Sequence, residues 1–367
     1  MKDTEFAQIA LTQDATGAIA NPIHLSTAYQ HPHLGESTGY DYTRTKNPTR
    51  SAFEEAFARL EQGTSAFATS SGMAAIQLIC HLFQPGDEVL VSFDLYGGTF
   101  RLFAHYETHY DIHFTYVDFT NYTEVQRAIT PQTRALFIEP ISNPQMIAID
   151  AQPYYELARQ HNLLTIIDNT FLTPYLSTPL ADGADIVLHS ATKYIGGHND
   201  VLAGVVTVKD DRLAETLGSY HNMIGATLSP FDSYLLQRGL KTLHLRMERA
   251  ASNARRLAER CEELEAISEV LYSGRTGMLS LRLNPQYDVG LLLKNLKTCI
   301  FAESLGGTET FITFPYTQTH VDMPDEEKAK RGIDEYLIRL SVGIEYYDDI
   351  EHDIIQALNQ AQKGVVT

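Results

Sequence analysis

The chain has 367 residues and a formal net charge of −18, with 44% hydrophobic and 20% charged residues. This length favours two domains, and this composition is typical of globular proteins. The acidic balance argues against a nucleic-acid partner, because phosphate backbones bind to basic surfaces. Three widely spaced cysteines without a CxxC pair favour a reducing cytoplasm over a disulfide framework or a zinc site, and we expect no signal peptide and no membrane span.

Residues 1–50 are rich in Asn, Pro, Thr and Tyr, which predicts an irregular arm rather than a domain. Within this arm Tyr42 and Arg44 stand two positions apart. In extended backbone their side chains would point to the same side and could clamp a phosphate. An arm without a core of its own is most useful if it reaches another subunit, and we expect this one to do so.

From residue 51 to residue 236, helical and strand-like patterns alternate, beginning with a predicted helix over 51–63. The predicted strands cover 66–69, 88–91, 113–117, 135–138, 164–167, 186–188 and 205–208. This alternation indicates an α/β architecture, a mostly parallel seven-stranded sheet with helices on both faces. Ligands of such sheets bind beyond the carboxyl ends of the strands. We therefore expect the functional site at the residues that closely follow strands, which are Ser70, Asp94, Glu139, Asp168 and Ser190.

After Ser229 and Pro230, which favour a helix start, a helical pattern runs over about 231–264. We place a domain boundary inside this predicted helix, between residues 236 and 237. The segment 237–367 contains strand-like runs over 278–283 and 337–341, and it is expected to form a smaller α+β domain.

Lys193 lies between the strand over 186–188 and two glycines, and the hydroxyls of Ser190 and Thr192 flank it. Any single lysine is usually an ordinary surface residue. In this position, however, the amine could form a Schiff base with an aldehyde cofactor, while the hydroxyls could hydrogen-bond a phosphate. Partial burial and nearby cations would have to lower the pKa of Lys193 for the amine to react.

Asp168 ends the apolar run over 163–167. A carboxylate held there can pair with the pyridinium nitrogen of pyridoxal phosphate (PLP) and so strengthen the ring as an electron sink. The alternative is a strand-end capping residue, because Asn169 and Thr170 are typical of a turn.

Three further features point to the same cofactor and its substrate. The stretch 70–73 precedes a predicted helix over 73–83 and could bind a phosphate through backbone N–H groups, although serine capping alone would explain it. Tyr96 follows a strand and precedes glycines, so it is either a ring stacked on the cofactor or a loop aromatic packed on the core. Arg339 is either a surface arginine or a bidentate ligand of an α-carboxylate.

Several stretches together resemble the Cys/Met-metabolism family of PLP-dependent trans-sulfuration enzymes, along nearly the whole chain. They are Tyr42-Thr43-Arg44, Asn47-Pro48-Thr49, Ser70-Ser71-Gly72-Met73, Leu95-Tyr96-Gly97-Gly98-Thr99, Ser142-Asn143-Pro144, Asp168-Asn169-Thr170-Phe171, Thr173-Pro174-Tyr175, His189-Ser190-Ala191-Thr192-Lys193-Tyr194, Gly197-His198-Asn199-Asp200 and Ser304-Leu305-Gly306-Gly307. The resemblance implies the aspartate aminotransferase-like fold, fold type I, and typically a homotetramer built from two catalytic dimers.

The resemblance also implies that Lys193 carries PLP, that Asp168 pairs with its ring nitrogen and that Tyr96 stacks on the ring. The residues implied for the phosphate are Gly72, Met73, Ser190 and Thr192, with Tyr42 and Arg44 from a neighbouring subunit. The residues implied for the substrate are Arg339, Asn143, Ser304 and Tyr42. The sequence departs from the family pattern at Ile141 and Gln145, where Pro and Leu are more common.

A glutamate at position 303 resembles the γ-synthases and γ-lyases of the family, whereas β-lyases tend to have Tyr at this position. The alternative is that Glu303 is a capping or salt-bridge residue. Arg101 could bind a second substrate carboxylate. The resemblance thus implies a γ-replacement of methionine biosynthesis, in which O-acylhomoserine and L-cysteine give cystathionine and a carboxylic acid. The alternatives are cystathionine γ- or β-cleavage, O-acetylhomoserine sulfhydrylation, and a non-catalytic binding module that keeps the fold.

Overall fold

The structure is a computed structural model, and it describes residues 2–11, 16–319, 321 and 323–363. A seven-stranded sheet occupies the first part of the chain. Its strands are β1 (Ser65–Thr69), β2 (Glu88–Ser92), β3 (His113–Val117), β4 (Thr133–Ile138), β5 (Leu164–Asp168), β6 (Ile186–His189) and β7 (Gly204–Val208). Their spatial order is β1-β7-β6-β5-β4-β2-β3.

Strands β2 to β6 run parallel, and only β7 runs antiparallel to its neighbours β1 and β6. The central strands are short, rich in Val, Ile and Leu and mostly buried, as expected for a sheet covered on both faces, and Arg134 on β4 is an exposed exception. The mostly parallel seven-stranded sheet predicted from the alternating pattern is therefore confirmed.

Helices precede, separate and follow these strands along the first part of the chain. They are α1 (Lys2–Ala7), α2 (Pro48–Leu60), α3 (Gly72–Cys80), α4 (Gly97–Tyr110), α5 (Tyr122–Ala128), α6 (Gln152–His161), α7 (Thr173–Leu176), α8 (Pro179–Asp182) and α9 (Asp211–Ile224). Asn47 caps α2 by accepting from the backbone N–H groups of Thr49 and Arg50, and Pro48 takes the first helical position. Phe53 and Phe57 on α2 are fully buried against the sheet.

The prediction of a wholly irregular arm over residues 1–50 was wrong at both ends. Helix α1 forms at the start, and α2 begins at Pro48. Phe6 on α1 is 1% exposed and packs edge-on against Tyr175 and stacked on His244, with ring centroids 5.9 Å and 6.1 Å away. Burial of the Phe6 ring thus stabilises helix α1 in a segment whose composition favoured irregular structure. Residues 17–46 have no helix and are mostly exposed.

The single helix predicted over 231–264 was also wrong, because two helices cover this region. They are α10 (Pro230–Leu240) and α11 (Leu243–Glu262). The Gly239 carbonyl accepts from Arg246 Nη2 at 2.7 Å and from Thr242 N at 3.3 Å, which replaces the bond that a continuing helix would make. The Arg246 Nη1 also donates to Tyr194 O at 2.6 Å, so a contact with another element ends α10.

A five-stranded sheet forms in the last part of the chain. Its strands are β8 (Ile267–Tyr272), β9 (Met278–Leu283), β10 (Ile300–Phe301), β11 (Phe311–Thr313) and β12 (Leu337–Ser341) in the order β10-β11-β12-β9-β8. Helices α11, α12 (Val289–Lys294), α13 (Asp325–Lys330) and α14 (Tyr347–Ala361) accompany it. Leu279 and Leu340 of the sheet share a buried cluster with Leu257 of α11 and Ile354 of α14. The boundary between residues 236 and 237 stays a prediction, and it falls within α10.

In the described ranges, no helix is both long and apolar enough to cross a membrane.

Candidate active site

A cavity of about 320 Å³ lies beyond the carboxyl ends of the large sheet, where segments of the second part of the chain close it. Most of the residues singled out from the sequence line it. They are Gly72, Met73, Tyr96, Asn143, Asp168, Ser190, Thr192, Lys193, Glu303, Ser304 and Arg339. Segments far apart in sequence therefore meet at the sheet edge where α/β proteins bind their ligands.

Lys193 lies in the turn that follows β6. Its Nζ donates to Ser304 Oγ at 3.3 Å, and its backbone carbonyl accepts from Gly197 N at 2.8 Å. Burial and the positive charge of Arg339 lower the pKa of Lys193 to about 8, while the Glu303 carboxylate acts in the opposite direction. The amine therefore has an appreciable unprotonated, nucleophilic fraction near neutral pH.

Asp168 is the last residue of β5. Its Oδ1 accepts from Thr170 Oγ1 at 2.5 Å and from Thr170 N at 3.1 Å. Burial raises the pKa of Asp168, while the bonds from Thr170 and the neighbouring His189 act in the opposite direction. The Thr170 hydroxyl also accepts from Ser190 N at 2.8 Å, so one side chain ties together two residues of the cavity wall. A half-buried carboxylate with this support is suited to a cationic ring nitrogen.

A buried pair that no sequence pattern indicated lies behind Asp168. His189 Nε2 is 2.6 Å from Glu61 Oε1, and both side chains are fully buried. Asn169 Nδ2 donates to the same oxygen at 3.3 Å. His189 and Glu61 are 128 residues apart, so no local pattern could have indicated the contact.

Helix α3 begins at the cavity wall. Ser71 caps it by accepting from Ala74 N at 3.0 Å. Ser71 lines the cavity, whereas Ser70, expected at the site because it follows a strand, does not. A Cβ atom at Gly72 would come within 2.8 Å of Ser190 Cβ. The missing side chain therefore lets the helix start approach Ser190, and Gly72 and Met73 at this start line the cavity, where a helix N-terminus favours an anion.

Thr192 also lines the cavity, but its hydroxyl already has partners. It donates to Ala203 O at 3.1 Å and accepts from Ala203 N at 3.0 Å. A phosphate that takes this hydroxyl as a donor must therefore replace the bond to the Ala203 carbonyl.

Tyr96 stands directly before α4, and its side chain is 44% exposed at the cavity. Its backbone N–H donates to Glu139 Oε1 at 3.2 Å. A Cβ atom at Gly98 would lie 2.5 Å from Tyr96 Cε1, so the glycine gives the ring room to rest against the start of the helix.

Arg339 on β12 is 3% exposed and reaches from the second sheet to the first. Its Nη1 donates to Asn143 Oδ1 at 3.0 Å, and its Nη2 donates to Ser304 O at 3.1 Å and Thr313 Oγ1 at 3.2 Å. Among the described residues its buried Nε has no hydrogen-bond partner. Burial lowers the pKa of Arg339 to about 10, so the guanidinium stays charged at neutral pH and can bind a carboxylate.

Three of the predicted site residues do not line this cavity: Tyr42, Arg44 and Arg101. Tyr42 is 51% exposed. Arg44 Nη1 donates to the backbone carbonyl of Asn222 at 2.6 Å and to its side-chain oxygen at 2.9 Å. Contacts of Tyr42 and Arg44 with the site of a neighbouring subunit stay a prediction, as does a role for Arg101.

The groups around the cavity fit PLP. The Lys193 amine of lowered pKa suits an aldehyde, and the half-buried Asp168 carboxylate suits a pyridinium. The start of α3, which a side chain at Gly72 would block, suits a phosphate. We expect Lys193, Asp168 and the start of α3 to hold these three groups.

Comparisons with known proteins agree with this chemistry. The family described as Cys/Met metabolism PLP-dependent enzyme matches residues 3–359. A Bacillus subtilis protein described as cystathionine gamma-synthase/O-acetylhomoserine (thiol)-lyase is 53% identical, over 100% of this chain and 98% of that protein. A protein of Haemophilus influenzae described as cystathionine gamma-synthase is 51% identical, over 97% of each chain. The crystal structure of a cystathionine gamma-lyase from Lactobacillus plantarum, complexed with L-serine, superposes with a TM-score of 0.95 at 38% identity, over 98% of this chain and 99% of that one. The chain therefore belongs to the Cys/Met metabolism family of PLP-dependent enzymes, as its sequence motifs and its fold type I architecture had indicated.

Proposed function

We propose that the enzyme catalyses a γ-replacement in which O-acylhomoserine and L-cysteine give cystathionine and a carboxylic acid. The observation that carries the proposal is the position of the Lys193 amine, which lies in one cavity with Asp168, Ser304 and Arg339. The similarity to proteins described as cystathionine gamma-synthases, at 53% and 51% identity over almost the whole chain, favours this reaction within the family.

Arg339 would bind the α-carboxylate of the amino-acid substrate. Its Nε is a buried donor without a partner among the described residues, and the bonds to Asn143, Ser304 and Thr313 hold the guanidinium plane in place. A guanidinium that is fixed before the substrate arrives loses little freedom on binding. Asn143 would contribute its amide group beside the same carboxylate.

Lys193 would move the protons. Its Nζ hydrogen-bonds Ser304, and its pKa of about 8 allows it to accept a proton from the substrate Cα and later return one at the neighbouring carbons. The γ-acyl group would leave as a carboxylate, and the cysteine sulfur would form the new bond at Cγ. Tyr96, whose exposed ring faces the same cavity, would assist near the reacting atoms.

PLP, when bound, supplies the electron sink that stabilises negative charge at the substrate Cα. Lys193, Asp168 and Tyr96 would hold its aldehyde, its ring nitrogen and its ring face. The start of α3 with Gly72 and Met73, together with Ser190 and Thr192, would hold its phosphate.

The second candidate is cleavage of cystathionine at the γ-carbon. Glu303 lines the cavity, and the Lactobacillus plantarum structure described as a gamma-lyase has the same fold over 98% of this chain. Both reactions use the same proton transfers at Lys193, and they differ in whether a thiol or water completes the reaction. Sulfhydrylation of O-acetylhomoserine would place a smaller thiol in the position of cysteine.

We further propose a cytoplasmic homotetramer built from two catalytic dimers. Support comes from the mostly exposed segment 17–46, whose Tyr42 and Arg44 lie outside the cavity of their own chain. Two such chains would exchange these segments, so that each completes the phosphate site of the other.

A product assay on purified, PLP-loaded enzyme tests the proposed reaction. One mixture contains O-acetyl- or O-succinylhomoserine with cysteine, and the other contains cystathionine alone. Cystathionine formed in the first mixture, faster than it is cleaved in the second, supports the γ-replacement and identifies the acyl donor. Release of keto acid and thiol from cystathionine with little condensation contradicts it and supports the lyase. A Lys193→Ala variant serves as the inactive control.

A further inference from the structure

Glu139 follows β4 at the cavity edge of the large sheet. Strand β4 lies between β5, which carries Asp168, and β2, which ends at Ser92. Glu139 lines the cavity and is 8% exposed, and its backbone N–H donates to Ser92 Oγ at 3.2 Å. The roles proposed above leave this buried carboxyl group unassigned.

One contact connects Glu139 to Tyr96. The Glu139 Oε1 accepts from Tyr96 N at 3.2 Å, across 43 residues of sequence. Tyr96 stands at the first position before α4 but makes no side-chain capping bond of its own. The backbone of Tyr96 is thus held by a residue that follows the neighbouring strand, in place of a capping side chain. Gly98 leaves room for the ring beside the start of α4, so the ring extends from a backbone that this bond holds.

The electrostatic surroundings of Glu139 favour its protonated form, which can still accept the hydrogen bond from the Tyr96 backbone. Burial and the carboxylates of Asp168 on β5 and Asp94 after β2 raise the pKa of Glu139 well above its ordinary value, and the Tyr96 N–H acts in the opposite direction. A protonated Glu139 still accepts from Tyr96 through its carbonyl oxygen. A Glu139 that carries a proton would also not repel the Asp168 carboxylate.

We propose that Glu139 is a positioning residue, which fixes the Tyr96 backbone and thereby sets the angle of the tyrosine ring against the bound cofactor above Asp168. The inference rests on the proposed function in one respect only, the contact between the Tyr96 ring and the cofactor. It holds for γ-replacement and for γ-cleavage alike, because the cofactor is common to both.

Two variants of nearly equal volume separate the hydrogen bond from packing and charge. Glu139→Gln keeps an oxygen that can accept from Tyr96 N, and Glu139→Met fills the same space without one. The readouts are the visible circular dichroism band of the bound PLP, which reports how the protein holds the cofactor ring, and kcat and KM in the product assay. We expect Glu139→Gln to keep the band and kcat, and Glu139→Met to change the band and lose about 10- to 100-fold in kcat, as misplaced groups do.

A dichroism band and kcat in Glu139→Met equal to those of the wild type overturn the proposal. So does a Glu139→Gln variant that is as impaired as Glu139→Met, because the amide oxygen can still accept. Glu139→Ala takes the place of Glu139→Met if the latter does not fold. The control is Glu156→Met on α6, whose side chain is 57% exposed and should change neither readout. The dichroism band is measured without substrate, so it tests the role of Glu139 independently of the reaction. A wrong assignment of the reaction is revealed instead by the product assay on the wild-type enzyme.

Discussion

Burial and the positive charge of Arg339 lower the pKa of Lys193 to about 8, against the opposing Glu303 carboxylate. Burial likewise lowers the pKa of Arg339 to about 10. Both cations lie in the same cavity, so each side chain depends on an environment that distant segments create. At the scale of single residues, the chemistry follows from where these two groups lie as much as from their identity.

The first prediction concerns cofactor loading. The amine must be unprotonated to react with an aldehyde, so its reactive fraction grows as pH rises through the pKa of about 8 and falls below it. We expect the rate of PLP incorporation into the apoenzyme to rise by about tenfold between pH 7 and pH 9 and then to level off. The growth of visible absorbance after mixing measures this rate. A rate independent of pH in this range contradicts the lowered pKa, and Lys193→Ala shows the absorbance of free cofactor.

The second prediction concerns Arg339. A lysine at this position has one ammonium group in place of a planar fork, so it cannot keep the bonds to Asn143 and Ser304 and also bind a carboxylate through two donors. We expect Arg339→Lys to raise KM for the amino-acid substrate by about 10- to 100-fold, with a smaller change in kcat. Steady-state kinetics measure both values. Arg134→Lys on β4, a 49% exposed arginine, is the control, and an unchanged KM in Arg339→Lys would refute the assignment.

At the scale of elements, tertiary contacts decide where helices end. Helix α10 stops where Arg246 takes the Gly239 carbonyl, although the residues beyond it continue a helical pattern. Helix α14 is tied to the segment before β10 by Asp353, which accepts from the backbone N–H groups of three consecutive residues, Lys297 to Cys299. The first contact positions α11 against the turn after β6, and the second positions α14 against the edge of the second sheet.

A third prediction follows from Gly239. Alanine usually stabilises a helix interior relative to glycine, by about 1 kcal/mol. Here a Cβ atom would overlap the backbone carbonyl oxygens of Ile195 and Gly196, which follow Lys193 closely. We therefore expect Gly239→Ala to lower the free energy of unfolding by about 1–3 kcal/mol, as overpacking does. Denaturant unfolding measures the change. Gly218→Ala in α9, which meets only the Phe67 ring at 3.3 Å, is the control and should be neutral or stabilising, and a stabilised Gly239→Ala would contradict the contact.

A fourth prediction concerns Asp353. Burial alone would raise the pKa of Asp353, but bonds from the N–H groups of Cys299, Thr298 and Lys297 outweigh it and hold the pKa below its ordinary value. The carboxylate therefore contributes stability that is present near neutral pH and is lost as pH falls through the folded-state pKa. We expect Asp353→Ala to reduce the free energy of unfolding by about 3 kcal/mol at pH 7, and by less in acid. Urea unfolding at several pH values measures this. The exposed Asp349→Ala on the same helix should change stability by at most about 0.5 kcal/mol, and an equal effect of the two variants would contradict the role of Asp353.

At the scale of the whole molecule, the cavity combines both sheets of one chain, while part of the predicted phosphate site lies outside it. Lys193 and Asp168 come from the large sheet and Arg339 from the small one. Arg44 lies outside the cavity and contacts Asn222 of its own chain. If neighbouring subunits exchange their arms, the complete site is a property of the oligomer.

The fifth prediction tests this exchange. Lys193→Ala and Arg44→Ala should each have low activity when assembled alone. In mixed dimers, one site combines an intact Lys193 from one chain with an intact Arg44 from the other. Random mixing makes half of the dimers mixed, so about a quarter of all sites should regain activity. Activity is measured after the two variants are dissociated and reassembled together. No gain over the separate variants would mean that Arg44 does not act on a neighbouring site.

Residue patterns allowed much of the fold to be predicted, because strand and helix periodicities depend on neighbours a few residues apart. Local patterns predicted the seven strands of the large sheet and the site residues at their carboxyl ends. Other features depend on contacts that no local pattern contains. Four such features join segments that lie far apart in sequence. They are the packing of Phe6, the break after Leu240, the Glu61–His189 pair and the Glu139–Tyr96 bond.

The sequence by itself determined the fold class, the family and the identity of the chemical groups, because short ordered motifs place an amine, a carboxylate and a helix start at the ends of strands. Only the tertiary structure decided the environment of these groups. It brings Arg339 to Asn143 across 196 residues, partly buries Lys193 beside Arg339 and Glu303, and holds the Tyr96 backbone through Glu139 at the end of another strand. Reactivity depends on desolvation and on charges at short distance, and these arise only when distant segments pack together.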